Sequence, residues 1–584
     1  MKLSVSEQLH IKITRIIIII VCTVCIIGFR LAYLQIIQRH NLFSQGERNY
    51  QRVKKIRPPR GNILDRNGTL LATNRPVTDI YWHGTGSRIF TPEQNRTISI
   101  LETILNTENI SDENTLRKIR TAERYQREHL IARDLTFEQI SRIAEQLADS
   151  KNIRLSTQFT RHYPFKTAAS HIIGYLGVKD IEQFGKMGLE KIFEEELRGH
   201  DGTHMRTINS FGTLLDDIEL QKVISGQDVY TTLDIRLQMI AESILTDDYP
   251  GTLIMFDPEN GDILSLVSSP RFDPEIFLQS IKIEEWRNLQ AKYPFINRAF
   301  YACYPPGSIF KLITACAALE HNIIQEDTII NCKGFTRFAG RKYGCNRRWG
   351  HGELTATQAI AYSCNPLFYE IGKQISIDVL ADYAHRFGLG YKTGAAFAER
   401  SGIIPSTEWK HATHKERWWP GETLSATIGQ SYLLVTPIQI ARMLGSIFTK
   451  ELAKPRIILH EPIEKYPLDI KPETLAFIQN AMYEAVQKGT SRRLARLKDM
   501  TIHAKTSTAQ VSALQKRLLD TKYLEHGWCI LHAQYKQEKP FVLVVLVENA
   551  GNSSVPTLLA KTFLEQYMKI IEMPAIAISN ANIA

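Results

Sequence analysis

Ser308 and Lys311 stand three residues apart in PPGSIFKLITACAALEH, residues 305–321. The Pro-Pro-Gly break predicts a helix start, and the residues after it are apolar nearly all round, so the helix is buried. Residues at this spacing share a helix face, which puts Ser308 in the first turn and Lys311 one turn on. Free N–H groups at a helix N-terminus can hold an oxyanion, while the Ile, Phe and Leu around Lys311 push its ammonium toward the neutral form. A neutral lysine there can take the serine's proton and make it a nucleophile. A capping serine beside a snorkelling lysine is the plainer reading, because S-x-x-K arises by chance on the order of twice at average composition.

Two further sets lie downstream in order: Ser363-Cys364-Asn365 within AYSCNPLF, and Lys505-Thr506-Ser507-Thr508. S-x-x-K, S-x-N and K-T-G in that sequence are the motifs of the serine penicillin-recognising enzymes. Lys392-Thr393-Gly394 matches the third set more closely in letters, but it trails the glycine-rich FGLGY soon after the second set. Lys505 instead follows MTIHA, which reads as a strand, and precedes a pair of terminal strands beside which an edge strand belongs. We therefore assign the third set to Lys505.

The elements that must position these groups belong to a chain of 584 residues, too long for one core and expected to form several domains. Charged residues make up 23% and hydrophobic ones 43%, the balance of a folded chain. Ile16 to Phe29 is unbroken apolar sequence that resumes after Arg30 as LAYLQII, long enough to span a bilayer if Arg30 snorkels. No small-x-small cleavage site comes after it, which favours a retained anchor over a signal peptide. Basic residues are more numerous after the anchor than before it, so orientation rests on what the large domain does. The net charge of +10 comes with no zinc-finger, RNP-type or Walker pattern, and nucleic acid is not an expected partner.

Beyond the anchor, RPPRGNILDRNGTLLATNRP reads as short strands around turns, Thr91 to Ala148 as helical, and Arg161 to Gly202 as short strands with a helix. VYTTLDIRLQMIAESIL reads as a strand leading into a helix, and GTLIMFDPENGDILSLVSSP as a hairpin. GWCILHAQY and FVLVVLVEN make a second strand pair, the latter buried on both faces. Strands at both ends with helices between predict a sheet closed by its termini and covered by helices. The expected division is residues 1–15 cytoplasmic, 16–37 anchor, 38–225 a non-catalytic α+β pedestal, 226–572 the catalytic domain, and 573–584 a disordered tail.

Through these motifs the sequence resembles the class B penicillin-binding proteins, and most closely the elongation-type penicillin-binding protein 2. RGNILDRNGTLLATN is similar to the family's membrane-proximal motif, HYPFKTAASHIIGYLG and GLEKIFEEELRG to its pedestal, and FDPENGDILSLVSSPRFDP to the start of its transpeptidase sheet. WGHGELTATQAIAYSCN, ERSGIIPSTEWK and GETLSATIGQSYLLVTPIQIA are similar to the penicillin-binding protein 2 branch, and the likeness runs from residue 12 to about 570. It implies an α+β fold with a β-lactamase-like antiparallel sheet and a D,D-transpeptidase that cross-links peptidoglycan stem peptides ending in D-Ala-D-Ala. Ser308 would be the nucleophile and Lys311 its base. Ser363 and Asn365 would relay protons and orient the substrate, Lys505, Thr506 and Thr508 would bind its carboxylate, and the N–H groups of Ser308 and Thr508 would form the oxyanion hole. β-Lactams would acylate Ser308. A RodA-type glycosyltransferase and an MreC-type scaffold would be partners, at the inner membrane with the catalytic domain in the periplasm.

Ser507 departs from the family, which has glycine there; a side chain along the substrate strand is expected to narrow the site or alter β-lactam affinity. The remaining alternatives are a septal enzyme of the same class, which lacks the WGHG and ERSGIIPSTEWK neighbourhoods, and a β-lactam sensor or scaffold with little catalysis. A hydrolytic β-lactamase is disfavoured, since no deacylating glutamate is evident and an anchor and pedestal have no use there.

Of eight cysteines, Cys332, Cys345 and Cys364 fall in the same stretch as His351, a Cys₃His set of the kind that closes a structural zinc site. Their spacing lacks a tight C-x-x-C pair, and a Cys332–Cys345 disulfide in an oxidising compartment competes. Some family members are similar in carrying zinc beside the active site on Asp, Asp, His and Cys, places that fall on Cys332, Cys345, His351 and Cys364 here. Thiolate in place of carboxylate keeps the logic of such a site. Zinc is the expectation, with a disulfide or free thiols as alternatives.

Overall fold

The computed structural model describes residues 5–40, 42, 51–107, 110–179, 182–208, 214–279, 281–510 and 524–572. The expected disordered tail lies outside the described residues. By internal contacts the chain divides into two compact units, residues 1–60 with 198–226, and residues 61–197 with 227–584.

The first unit holds the N-terminal helix, whose apolar stretch Lys12–Ile37 is 26 residues long. At 1.5 Å per residue that is about 39 Å, enough to cross a hydrocarbon core of about 30 Å. A three-stranded antiparallel sheet, Gln51–Ile56 against Gly202–Ile208 against Leu214–Gln221, completes it.

In the second unit, RGNILDRNG folds as expected into strands Ile63–Leu64 and Leu70–His83 around a turn held by Asp65. Asp65 Oδ1 accepts from the N–H groups of Asn67 and Thr69, both at 2.8 Å. The long strand Leu70–His83 pairs over ten residues with Ile153–His162. The stretch expected to be helical contains helices Pro92–Leu105, Glu113–Arg124 and Phe137–Gln146. It also contains a strand, Glu128–Ala132, that pairs with the end of the long strand. Five residues framed by charged helices give too short an alternation to read locally; the pairing partner decides the conformation.

The catalytic sheet is antiparallel, built from β1 (Gly251–Phe256), β2 (Ile263–Ser269), β3 (Met500–Ala509), β4 (His526–Tyr535) and β5 (Phe541–Val547) in the order β2-β1-β5-β4-β3. The termini of the domain therefore meet in the middle of the sheet, and β5, at its centre, is buried at every position, as an apolar run without alternation requires. On one face Leu253, Met255, Ile502, Ala504, Cys529 and Leu531 pack with helices Ile235–Ile244 and Ser554–Glu572. On the other, Ile254, Ile530, Val542 and Val544 join the core built around α1 (Lys311–Glu320), α2 (Ala356–Ala361), α3 (Asn365–Gly372), α4 (Pro437–Thr449) and α5 (Pro472–Gln487). β3 is the edge strand next to β4, with Lys505 opposite Ile530 and Ser507 opposite Trp528.

Candidate active site

The nucleophile turn comes first in the chain. Ser308 sits in a single 3₁₀ turn, Gly307–Ile309, and the α-helix proper begins at Lys311. Every residue from Lys311 to Ala318 in α1 is buried, as the all-round apolar pattern requires. Gly307 has φ +54, and its N–H donates to the carbonyl of Gly429 at 3.0 Å. On its other side β3 crosses so closely that a Cβ at Gly307 would overlap Ser507 Oγ and touch Ala509 Cα and Cβ at 3.4 Å. Only glycine fits this crossing.

Lys311 is wholly buried, and its Nζ donates to Asn365 Oδ1 at 2.6 Å, to the Ser363 carbonyl at 2.8 Å and to Ser363 Oγ at 3.2 Å. Burial lowers its pKa to about 7, against a smaller raising influence of Cys364 and Cys345. The first two motifs thus meet at one lysine. Lys505 is also fully buried and is driven well below the ordinary lysine range, first by burial and then by the charge of Lys311. The charge of Lys311 thus disfavours the charged form of Lys505.

The second motif is a tight corner between α2 and α3. Ser363 has φ +56, an unusual conformation for a residue with a side chain. Its N–H bonds Ile360 O at 3.1 Å and that of Cys364 bonds Ala359 O at 2.7 Å, so two short bonds fix the corner. Asn365 Nδ2 donates to Gly344 O at 3.0 Å, and Tyr369 Oη reaches the same carbonyl at 3.3 Å. These contacts tie the catalytic corner to the segment that carries Cys345.

On β3, the pleat puts His503, Lys505, Ser507 and Ala509 on the face toward α1. Thr506 Oγ1 donates to Thr490 Oγ1 at 2.9 Å, and Thr508 is exposed. Ser507, expected beside the substrate, turns inward: it is 2% exposed and lies against Gly307. Thr393 of the rejected K-T-G is buried in a loop, its N–H and hydroxyl both held by Glu399 Oε2 at 2.7 and 2.8 Å.

Cys332, Cys345, His351 and Cys364 come together from three segments, Cys345 and His351 sharing one loop, their ligand atoms all within 4.8 Å of one another. His351 Nδ1 is 3.6 Å from both Cys332 Sγ and Cys345 Sγ. A tetrahedral zinc with Zn–S of about 2.3 Å and Zn–N of about 2.0 Å sets such S···N pairs about 3.6 Å apart, so the donor set fits that metal. Cys364 hydrogen-bonds Cys345, which holds the Cys345 thiol below the usual thiol range and pushes that of Cys364 up. All eight cysteines are free thiols.

One group of residues was not visible in the motifs. Tyr304, four positions before Ser308, donates its hydroxyl to Glu548 Oε1 at 2.6 Å, and Arg298 Nε donates to the same oxygen at 3.0 Å. Trp528 Nε1 donates to Pro305 O at 3.2 Å. The residue after β5 and the start of β4 thus hold the approach to the turn that carries Ser308.

An antiparallel sheet with its termini paired at the centre, a buried helix headed by a serine turn, and a lysine shared with a Ser-x-Asn corner define a serine acyltransferase of the penicillin-recognising type. Residues 251–567 match the penicillin binding protein transpeptidase domain and residues 55–231 the penicillin-binding protein dimerisation domain, and the chain belongs to this family, in its class B, penicillin-binding protein 2 branch. It is 30% identical to the peptidoglycan D,D-transpeptidase MrdA of Acinetobacter baumannii, over 94% of this chain and 86% of that one. Penicillin-binding protein 2 of Helicobacter pylori, solved in complex with MreC, is similar at 27% identity and a TM-score of 0.77, covering 89% of this chain and 99% of that one. A chain from a peptidoglycan synthase complex that coordinates polymerization and crosslinking matches at 27% identity and a TM-score of 0.73, over 96% and 98%.

Proposed function

We infer that this chain is the D,D-transpeptidase that cross-links peptidoglycan stem peptides during cell elongation, and that β-lactams inhibit it by acylating Ser308. The observation that carries the mechanism is the single buried Nζ of Lys311, bonded to both Ser363 and Asn365 and depressed to about 7. In the proposed reaction Ser308 Oγ attacks the penultimate D-Ala carbonyl while Lys311 takes its proton. The N–H groups of Ser308 and Thr508 hold the oxyanion. The C–N bond then breaks, the departing D-Ala amine receives a proton through Ser363, and the acyl group stays on Ser308. The amine of a second stem peptide attacks this ester, and Lys311 again handles the proton. Lys505 and Thr506 hold the substrate's terminal carboxylate, and Asn365 orients its amide.

The chemistry needs no cofactor. Zinc on Cys332, Cys345, His351 and Cys364 would supply cross-linking of three segments and no reaction step. The donor set and the 3.6 Å S···N spacings support this reading. Residues 38–225 would serve as pedestal and 226–572 as catalytic domain, with the Lys12–Ile37 helix anchoring them to the inner membrane and the catalytic domain in the periplasm. The complex of the Helicobacter pylori relative with MreC and the synthase-complex relative support an MreC-type scaffold and a RodA-type glycosyltransferase as partners. The relatives' names favour an active transpeptidase over a silent sensor.

A synthetic stem-peptide donor ending in D-Ala-D-Ala, mixed with an amine acceptor and the full chain in detergent, tests the reading. Free D-Ala and the cross-linked product should appear together, and both should vanish with Ser308→Ala. Product formation that survives this substitution would overturn it.

A further inference from the structure

Ser507 Oγ is buried and has no hydrogen-bond partner among the described residues. A buried hydroxyl left unpaired costs on the order of 1–3 kcal/mol, so a glycine here would be the less costly residue unless the side chain's bulk is used. That bulk has one neighbour that matters. It lies against Gly307, the residue before Ser308, in the space a Cβ there would fill. Gly307 cannot retreat, because Gly429 backs it so tightly that a Cβ at Gly429 would overlap the Gly307 carbonyl. Gly307 N–H is also bonded to Gly429 O at 3.0 Å. Gly429 is in turn fixed by its own N–H on Ala426 O at 2.8 Å, and Thr314 Oγ1 of α1 holds the neighbouring Thr427 carbonyl at 2.9 Å. The turn is therefore clamped against α1, and across the contact stands the edge strand β3, which has a partner strand on one flank only.

We propose that Ser507 is a specificity-determining spacer: its side chain holds β3 away from the Gly307–Ser308 turn and so widens the slot between the N–H groups of Ser308 and Thr508. This rests on the transpeptidase reading above, which assigns those two amides to the oxyanion. The hydroxyl makes no bond, so the spacer acts through volume. A wider slot weakens the hold on a developing oxyanion and slows acylation, with little effect on the preceding binding step. A rigid bicyclic β-lactam, which cannot adjust its carbonyl position, is slowed more than a flexible peptide. Ser507 is a positioning residue here and touches neither substrate nor reacting atoms.

The test is the acylation of the full chain in detergent by benzylpenicillin, separated into a dissociation constant for the first complex and a first-order acylation rate, for the wild type, Ser507→Gly and Ser507→Ala. The expected result is a rise in acylation rate of at least fivefold in Ser507→Gly with the dissociation constant changed less than twofold. Ser507→Ala, which keeps the methyl but loses the oxygen that meets Gly307, should fall between the two and nearer Ser507→Gly. A stem-peptide thioester ending in D-Ala should gain less than benzylpenicillin. Thermal midpoints recorded alongside separate a folding effect, which would lower the rate. An unchanged or slower Ser507→Gly, or an Ala variant equal to the wild type, overturns the spacer while leaving the transpeptidase reading intact. A wild type that benzylpenicillin does not acylate at Ser308 overturns both.

Discussion

Lys311 is buried, its hydrogen bonds go to neutral oxygens, and the raising influence of Cys364 and Cys345 is smaller than the effect of burial. Its pKa of about 7 means the neutral, proton-accepting form dominates above that pH and is lost as pH falls through it. Acylation by benzylpenicillin should therefore fall about tenfold per unit below pH 7 and level off above it. A stopped-flow profile that stays flat from pH 5 to 8 would contradict the assignment. Lys311→Ala should lose roughly 10²–10⁴ in acylation rate, the usual contribution of a positioned base. That Lys311, Ser363 and Asn365 belong to one site was legible in the sequence because each motif is local, its spacing a turn or less. The direction of Ser507 was not, because it depends on the pleat of β3 relative to a turn 200 residues away.

At the level of elements, two corners must be held at once. The first is the nucleophile turn, which Tyr304, Arg298 and Glu548 fix to the end of β5 across some 244–250 residues of sequence. No spacing rule reaches that far, which is why the sequence did not reveal it. Glu548→Gln keeps the shape but leaves Arg298 without its counter-charge, and should cost about 2 kcal/mol. A fall in thermal midpoint together with slower acylation is the expected reading; no change in either would show the clamp to be incidental. The second corner is Ser363–Asn365, with φ +56 at Ser363 and Cys364 turned away to the Cys₃His cluster. If zinc occupies the cluster, elemental analysis of the purified wild type should find it, and Cys364→Ala should lose it and acylate more slowly as well. A wild type that is free of metal and fully acylated would contradict the zinc reading. The helices and the catalytic sheet were readable from apolar pattern and turn chemistry, whereas the strand Glu128–Ala132 was not, since its alternation is too short to outweigh the helices around it.

For the whole molecule, the groups assigned to the chemistry lie between Arg298 and Glu548, within the compact unit of residues 61–197 and 227–584. The expected boundary near residue 225 follows the strand-then-helix pattern of VYTTLDIRLQMIAESIL, whereas the contacts group residues 61–197 with the catalytic sheet, with Asp65 Oδ2 accepting from Ile235 N at 3.2 Å and Arg66 N bonding Leu233 O at 2.8 Å. Such long-range ties leave no mark on local sequence. Removing residues 1–37 should release the protein from membranes while leaving fluorescent-penicillin labelling in place; sedimentation with the membrane fraction after truncation would argue against Lys12–Ile37 as the anchor. The central claim, that Ser308 is a nucleophile activated by Lys311, is tested most directly by mass spectrometry of the full chain after exposure to benzylpenicillin. The account expects one penicilloyl adduct per chain, mapped to the peptide carrying Ser308 and absent from Ser308→Ala. An unmodified chain, or an adduct that persists in that variant, would contradict it.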